Sequence, residues 1–314
     1  MAELSNALFV VMIFGYVVAM ALYAAEYAFG KRGVVARVAE RELVGAGGPP
    51  VVEPLATGPA GPDRAAIAGR AAVAVTALAA AVHAASLVAR GAAAGRVPWG
   101  NMFEFVTAVC LVAAVAWLVL VARRPSVRPL GLFVTLLLTV LLAIAGMGLY
   151  AKAAPLVPAL NSYWLKIHVT AAIIASGMFL VGAVTAAMTV VRGGYDAGKR
   201  SFPYSLGWRV PAADGLERLT FRLHAFAFPI WTFAIICGAI WAEAAWDRYW
   251  GWDPKETWSF IAWVIYAGYL HARATPSVRR STATWIALAG WLAMMINLFG
   301  VNLVISGLHS YAGV

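Results

Sequence analysis

Charge is what this sequence has least of. Only 12% of its 314 residues are Asp, Glu, Lys or Arg, about half the share in an average soluble domain. Cysteine is nearly absent. Cys110 and Cys237 stand far apart, each inside an apolar run, with no CxxC spacing. That argues against a disulfide framework, a thiolate zinc site and a thioredoxin-type redox motif. Two buried structural thiols are the expectation. No Ser-His-Asp or Cys-His arrangement offers a nucleophile.

Apolar residues are what the chain has in abundance. The set AVILMFWYC makes up 62% of it, and the mean hydropathy is +0.79, which excludes a soluble globule. A crossing of the hydrocarbon core takes about 20 apolar residues, so the length allows roughly eight. Apolar runs at 6–29, 71–90, 102–122, 130–150, 164–191, 221–242, 258–272 and 284–306 predict an all-α polytopic membrane protein with about eight transmembrane helices. The run at 258–272 is short and is expected to extend at one end. The first run does not read as a signal peptide. It has no basic segment before it, and Lys31, Arg32 and Arg37 come after it.

Eight spans divide the loops into two sets. Those at 30–70, 123–129, 192–222 and 273–280 hold 18 of the 24 basic residues, and the opposite set holds 6. By the positive-inside rule the first set is cytoplasmic, so both termini are expected to be extracytoplasmic. Topology and an anionic lipid bilayer account for the formal net charge of +10, so no nucleic-acid partner is expected. Within the loop at 30–70, ten of the eighteen residues at 45–62 are Gly or Pro. This reads as a flexible linker between a first helix at 1–29 and a seven-helix block at 71–314.

Five of the 13 tryptophans fall in one stretch, WAEAAWDRYWGWDPKETW at 241–258. An interfacial aromatic belt is the simplest alternative, but a belt scatters single rings over many helix ends. Trp246, Trp250, Trp252 and Trp258 are instead expected to form one wall suited to a large planar apolar ligand. Glu243, Asp247, Arg248, Asp253, Lys255 and Glu256 are placed to meet polar groups at the ligand's edge. A carboxylate among indoles needs a partner. Asp253 is expected either to accept hydrogen bonds that fix the loop or to orient a ligand histidine.

Four of the five histidines fall into two depth classes. His168 near the start of the fifth span and His309 just past the eighth are both on the outer side. His83 and His271 lie within the second and seventh spans, His83 near mid-membrane and His271 in the inner half. A lone intramembrane histidine is most often an interhelical hydrogen-bonder, but two pairs at matched depths favour metal ligation, and imidazole is an axial ligand of haem iron. His224, at the inner start of the sixth span, reads as a snorkelling or capping residue.

These residues resemble a known family. WDRYWGWDPKETW is similar to the "WWD" signature of haem-handling membrane proteins. YWLKIHV at 163–169, FIAWVIYAGYLHAR at 260–273, GVNLVISGLHSY at 300–311 and VPWGNMFEF at 97–105 resemble segments of the CcsA (ResC) family, the membrane subunit of the System II cytochrome c synthase. The resemblance covers about 80–314. It implies cytochrome c biogenesis, with haem b delivered to the outer face and joined through thioethers to a CxxCH motif of apocytochrome c. It implies outer haem-iron ligands at His168 and His309, an intramembrane ligand at His271 with His83 as its candidate partner, and haem contacts at Trp246, Trp250, Trp252, Asp253 and Trp258. It further implies a CcsB (ResB)-type membrane partner, thiol-reducing proteins acting on apocytochrome, and a bacterial plasma membrane, with holocytochrome c synthase (haem lyase) activity only in complex with the partner. The residues leave other readings open: a haem exporter or chaperone without synthase activity, a bis-His electron-transfer cytochrome, or a transporter of another solute.

Overall fold

A computed structural model describes residues 1–29, 64–156, 162–305 and 307–309. The linker expected at 45–62 lies outside the described residues, and only the end of the 30–70 loop falls within them. Eight long helices follow in order: α1 (Ala2–Phe29), α2 (Arg64–Ala94), α3 (Met102–Arg123), α4 (Gly131–Gly148), α5 (Tyr163–Asp196), α6 (Ala213–Trp246), α7 (Pro254–Ala274) and α8 (Arg280–Met295). The last continues through a π turn at Ile296–Gly300 and a helical turn at Val301–Val304. No strand occurs among the described residues.

Local chemistry sets the helix starts. Asn101 caps α3 by accepting the Glu104 N–H, and Ser162 caps α5 by accepting the Trp164 N–H. Asp253 and Glu256 form a reciprocal capping box at α7, with Pro254 in its first turn. Helices α2, α6 and α7 are longer than their apolar runs, because polar residues at their ends continue the hydrogen-bond ladder beyond the hydrophobic stretch.

Seven of the helices are long and apolar enough to span a membrane by length and composition. The exception, α7, has 21 residues, about 31 Å at ~1.5 Å per residue. It is rich in Trp and Tyr and has charges near both ends. Its direction follows from its neighbours. Asp253 at its start hydrogen-bonds Leu308 and His309 beyond the end of α8, so α7 runs away from that end and α8 returns to it. The start of α1 lies at the same end, where Ser5 and Ser86 exchange hydrogen bonds and Asn6 donates to the Tyr150 hydroxyl. Basic residues gather at the opposite end. There Glu26 pairs with Arg128, and Glu217 with Arg273 and Arg280.

In lipid, helices associate through close packing and interhelical hydrogen bonds. The α1–α2 pair uses both: Gly15 lies against Ala79, and the Tyr16 hydroxyl meets His83 Nδ1 at 3.2 Å. Helix α5 is central, touching α3, α6 and α8, and is largely buried. One end of this frame carries a buried ionic cluster. The Glu104 carboxylate, fully buried, is held by Arg90 at 2.9 Å and Arg96 at 2.6 Å. The same guanidiniums reach the carbonyls of Ala151 and Ala154 and fasten the α4–α5 connection over the site end.

His224 corrects the sequence reading. It neither caps nor snorkels, because α6 starts well before it at Ala213 and the ring has no solvent exposure. Its Nδ1 bonds the Thr220 carbonyl at 2.8 Å, and the ring packs among Phe179, Tyr266 and Tyr269.

Candidate functional site

Two residues far apart in sequence, His168 and His309, share one cleft. It is a partly open cleft of about 1030 Å³, open solvent included, and its walls include Trp231, Trp241, Trp246, Trp250 and Trp291. A neighbouring cleft of about 1060 Å³ shares His168, His309, Phe105, Lys255 and Leu298 with the first.

Each imidazole is tied back through the same nitrogen. His168 rises from the second turn of α5, and its Nδ1 lies 2.7 Å from the Ala234 carbonyl of α6. Gly238 makes that approach possible, since a Cβ there would sit 2.7 Å from the His168 ring. His309 Nδ1 lies 2.8 Å from Asp253 Oδ2. Both Nδ1 atoms face acceptors, so each carries the proton and Nε2 is the basic nitrogen of each ring. Carbonyl and carboxylate partners of this kind set the tautomer and orientation of metal-ligating histidines.

Asp253 both fixes the loop and bonds His309. Its Oδ2 caps α7 through the Lys255 N–H at 3.1 Å and accepts from His309, while Oδ1 accepts the Leu308 N–H at 2.8 Å. Gly307 allows the close approach, since a Cβ there would lie 2.8 Å from Oδ1. Burial disfavours the charged carboxylate, but the hydrogen bonds from His309, Leu308 and Lys255 outweigh it and hold its pKa down at about 2. The carboxylate is therefore ionised at any physiological pH. Glu256 folds the loop back by accepting the N–H groups of Gly251 and Asp253, at 2.8 and 3.1 Å.

The loop's tryptophans take different places. Trp246 packs edge-on to His309 at 5.3 Å and to Trp241 at 4.8 Å, and Trp250 lines the cleft beside Tyr249. Trp252 has a left-handed backbone with φ 58° and is 65% exposed, touching Trp250 and Phe260 by its edges. Trp258 packs into the helix core behind the cleft. Lys255 reaches the Asn297 carbonyl at 2.9 Å. Asn297 lies in the π turn of α8, where the regular α-helical pairing of carbonyls is broken.

The inner histidines are not brought together. His83 is fully enclosed against Tyr16, whereas His271 is exposed near the end of α7, and no hydrogen bond or ring contact joins them.

Sequence reasoning missed Trp231 and Trp291 as walls, Gly238 as a seat for His168, and the Arg90–Glu104–Arg96 cluster. The cluster had a visible signal: three charges close together, Arg90 and Glu104 in otherwise apolar helices and Arg96 in the loop between them.

Among the described residues, no group of three or more His, Cys, Asp or Glu could hold a bare metal ion. Two imidazoles in an aromatic cleft suit instead a metal that brings its own equatorial ligands and needs only axial ones.

Residues 99–309 match the family model described as cytochrome C assembly protein. The chain is 35% identical over 231 residues to the cytochrome c biogenesis protein CcsA of Guillardia theta, covering 68% of this chain and 72% of that one. It is 32% identical over 274 residues to CcsA of Gloeothece citriformis, covering 73% and 83%. A solved structure titled cytochrome c heme lyase CcmF shares the fold with a TM-score of 0.63 at 15% identity. That match covers 95% of this chain and 46% of the longer one.

Proposed function

Since this chain belongs to the CcsA family of membrane proteins for cytochrome c assembly, we propose that it holds haem b between His168 and His309 and presents it to apocytochrome c as the membrane part of a haem lyase. The observation that carries this reading is the matched pair of imidazoles, each tied back at Nδ1, in one tryptophan-walled cleft.

When bound, haem supplies two vinyl groups, and each CxxCH thiol adds across one of them, sulfur to one carbon and hydrogen to the other, with no leaving group. The chain's own residues bind and orient. His168 is fixed on α5 by the Ala234 carbonyl. His309 is aimed by Asp253. Trp246 and Trp250 supply apolar surface and keep water away. His168 and His309 would together hold the group and shield it from other ligands until the substrate is in place. No nucleophile is required of this chain, because the thiols belong to the substrate.

In this reading the cleft faces the outside of a bacterial plasma membrane, opposite the basic end. A CcsB (ResB)-type partner completes the enzyme, and thiol-reducing proteins keep the substrate cysteines free. His271 remains the proposed intramembrane ligand. Its exposure on α7 leaves it accessible to a ligand from a partner chain, while His83 is enclosed against Tyr16.

The test is cytochrome c maturation by the chain with its partner, scored as covalent haem. His168→Ala and His309→Ala should each abolish it, and added imidazole should restore part of it by filling the vacated ligand position. Wild-type maturation by either variant without imidazole would remove that histidine from the site.

A further inference from the structure

The second cleft differs from the first in its charge. Arg96, Lys166 and Lys255 line it and no carboxylate does, whereas the tryptophan cleft includes Glu256 among its walls. The two clefts meet at His168 and His309, which line both.

The cations are not equally committed. Arg96 is occupied by Glu104 and by backbone carbonyls. Glu104 is shared between Arg96 and Arg90, so that cluster still carries one net positive charge. Lys255 uses one donor on the Asn297 carbonyl. Lys166, half-buried in the first turn of α5, makes no side-chain hydrogen bond or ion pair among the described residues. Its ammonium is therefore left to pair with an anionic ligand in the cleft.

We propose that this cleft is a carboxylate subsite, in which Lys166 and Lys255 bind the two propionate groups of the porphyrin and Arg96 supplies the surrounding positive field. The inference rests on the haem reading and deepens it by fixing which edge of the ligand goes where. The carboxylate edge lies toward the start of α3, and the vinyl-bearing part of the ring is left to the cleft of Trp246 and Trp250, where a thiol substrate must reach it. Lys166 precedes His168 by two residues on one helix, so the same rigid element carries an iron ligand and a carboxylate anchor.

The experiment compares equilibrium binding of ferric haem and of its dimethyl ester by the full-length protein in detergent, followed by absorbance. The ester keeps the iron and the ring but has no anionic carboxylates. Wild type should bind haem roughly a hundredfold more tightly than the ester, the order expected for two charge-assisted contacts of about tenfold each. Lys166→Gln should weaken haem binding about tenfold and leave ester binding unchanged, and Lys166→Arg should retain the preference. Lys255→Gln should act in the same direction. If Lys166→Gln weakens both ligands equally, or neither, the subsite is overturned; the same holds if the cleft takes a lipid phosphate, because haem and ester would then respond alike. A wild-type protein that binds neither porphyrin with a six-coordinate spectrum would instead overturn the haem reading itself.

Discussion

Asp253 joins three parts of the site, and replacing it separates their contributions. Its carboxylate caps α7, anchors the chain at Leu308 and orients His309, all while 7% exposed. Asparagine is as good an N-cap as aspartate, so Asp253→Asn should leave helix α7 and the melting temperature close to wild type. It loses the negative charge that His309 Nδ1 faces. A hydrogen bond to a charged group contributes about 1.5–3 kcal/mol, and losing the partner behind a metal-ligating histidine weakens ligand binding by about 10–100-fold. Asp253→Ala removes the cap as well, about a further 1 kcal/mol of stability, and leaves the Leu308 N–H without its acceptor. The expected order of haem affinity is therefore wild type, then Asn at least tenfold weaker, then Ala weaker still, with only Ala melting appreciably lower. Absorbance titration with ferric haem and thermal unfolding in the same detergent measure both quantities. An Asn variant that binds haem as tightly as wild type would refute the role given to the carboxylate and reduce Asp253 to a helix cap.

Gly238→Ala places a methyl group 2.7 Å from the His168 ring. It should displace that imidazole and lower haem affinity at least tenfold with little change in melting temperature, and unchanged affinity would show that His168 is not seated as described. Glu104→Gln leaves the buried Arg90 and the half-buried Arg96 without their counter-charge. It should destabilise the protein by about 3–5 kcal/mol, visible as a large drop in melting temperature; an unchanged melting curve would sink the cluster's structural role. Trp250→Ala should lower haem content more than Trp252→Ala, because Trp250 lines the cleft while Trp252 is 65% exposed outside it. Equal losses would return the loop to a single undivided wall.

The helices were legible because each apolar run declares itself without reference to its neighbours, and counting basic residues then orders the ends. His168 and His309 were legible as a pair for the same reason: topology brings the start of one span and the end of another to one side. The fate of the tryptophans was not. Asp247 and Trp252 both adopt left-handed backbones without being glycine, and nothing local in the sequence announces those reversals. They turn Trp252 out and draw Trp246 and Trp250 in. The bond from Lys255 to Asn297 was equally hidden, because it depends on a π turn in a different helix. His224 misled because the apolar run begins near it, whereas the helix begins at Ala213.

The two outer histidines differ in mechanical standing. His168 belongs to a long helix, while His309 stands beyond Val304, the last helical residue among the described residues, and is secured by Asp253. A group on so short a leash behaves as a solute confined to a small volume, with an effective concentration in the millimolar range or above. If His309 holds haem as proposed, any external imidazole, whether a free molecule or the histidine of an incoming CxxCH segment, would compete against that local reservoir. Exchange at this position is then a contest of concentrations. A loosely presented substrate loses it, and one docked alongside the cleft at comparable local density can win.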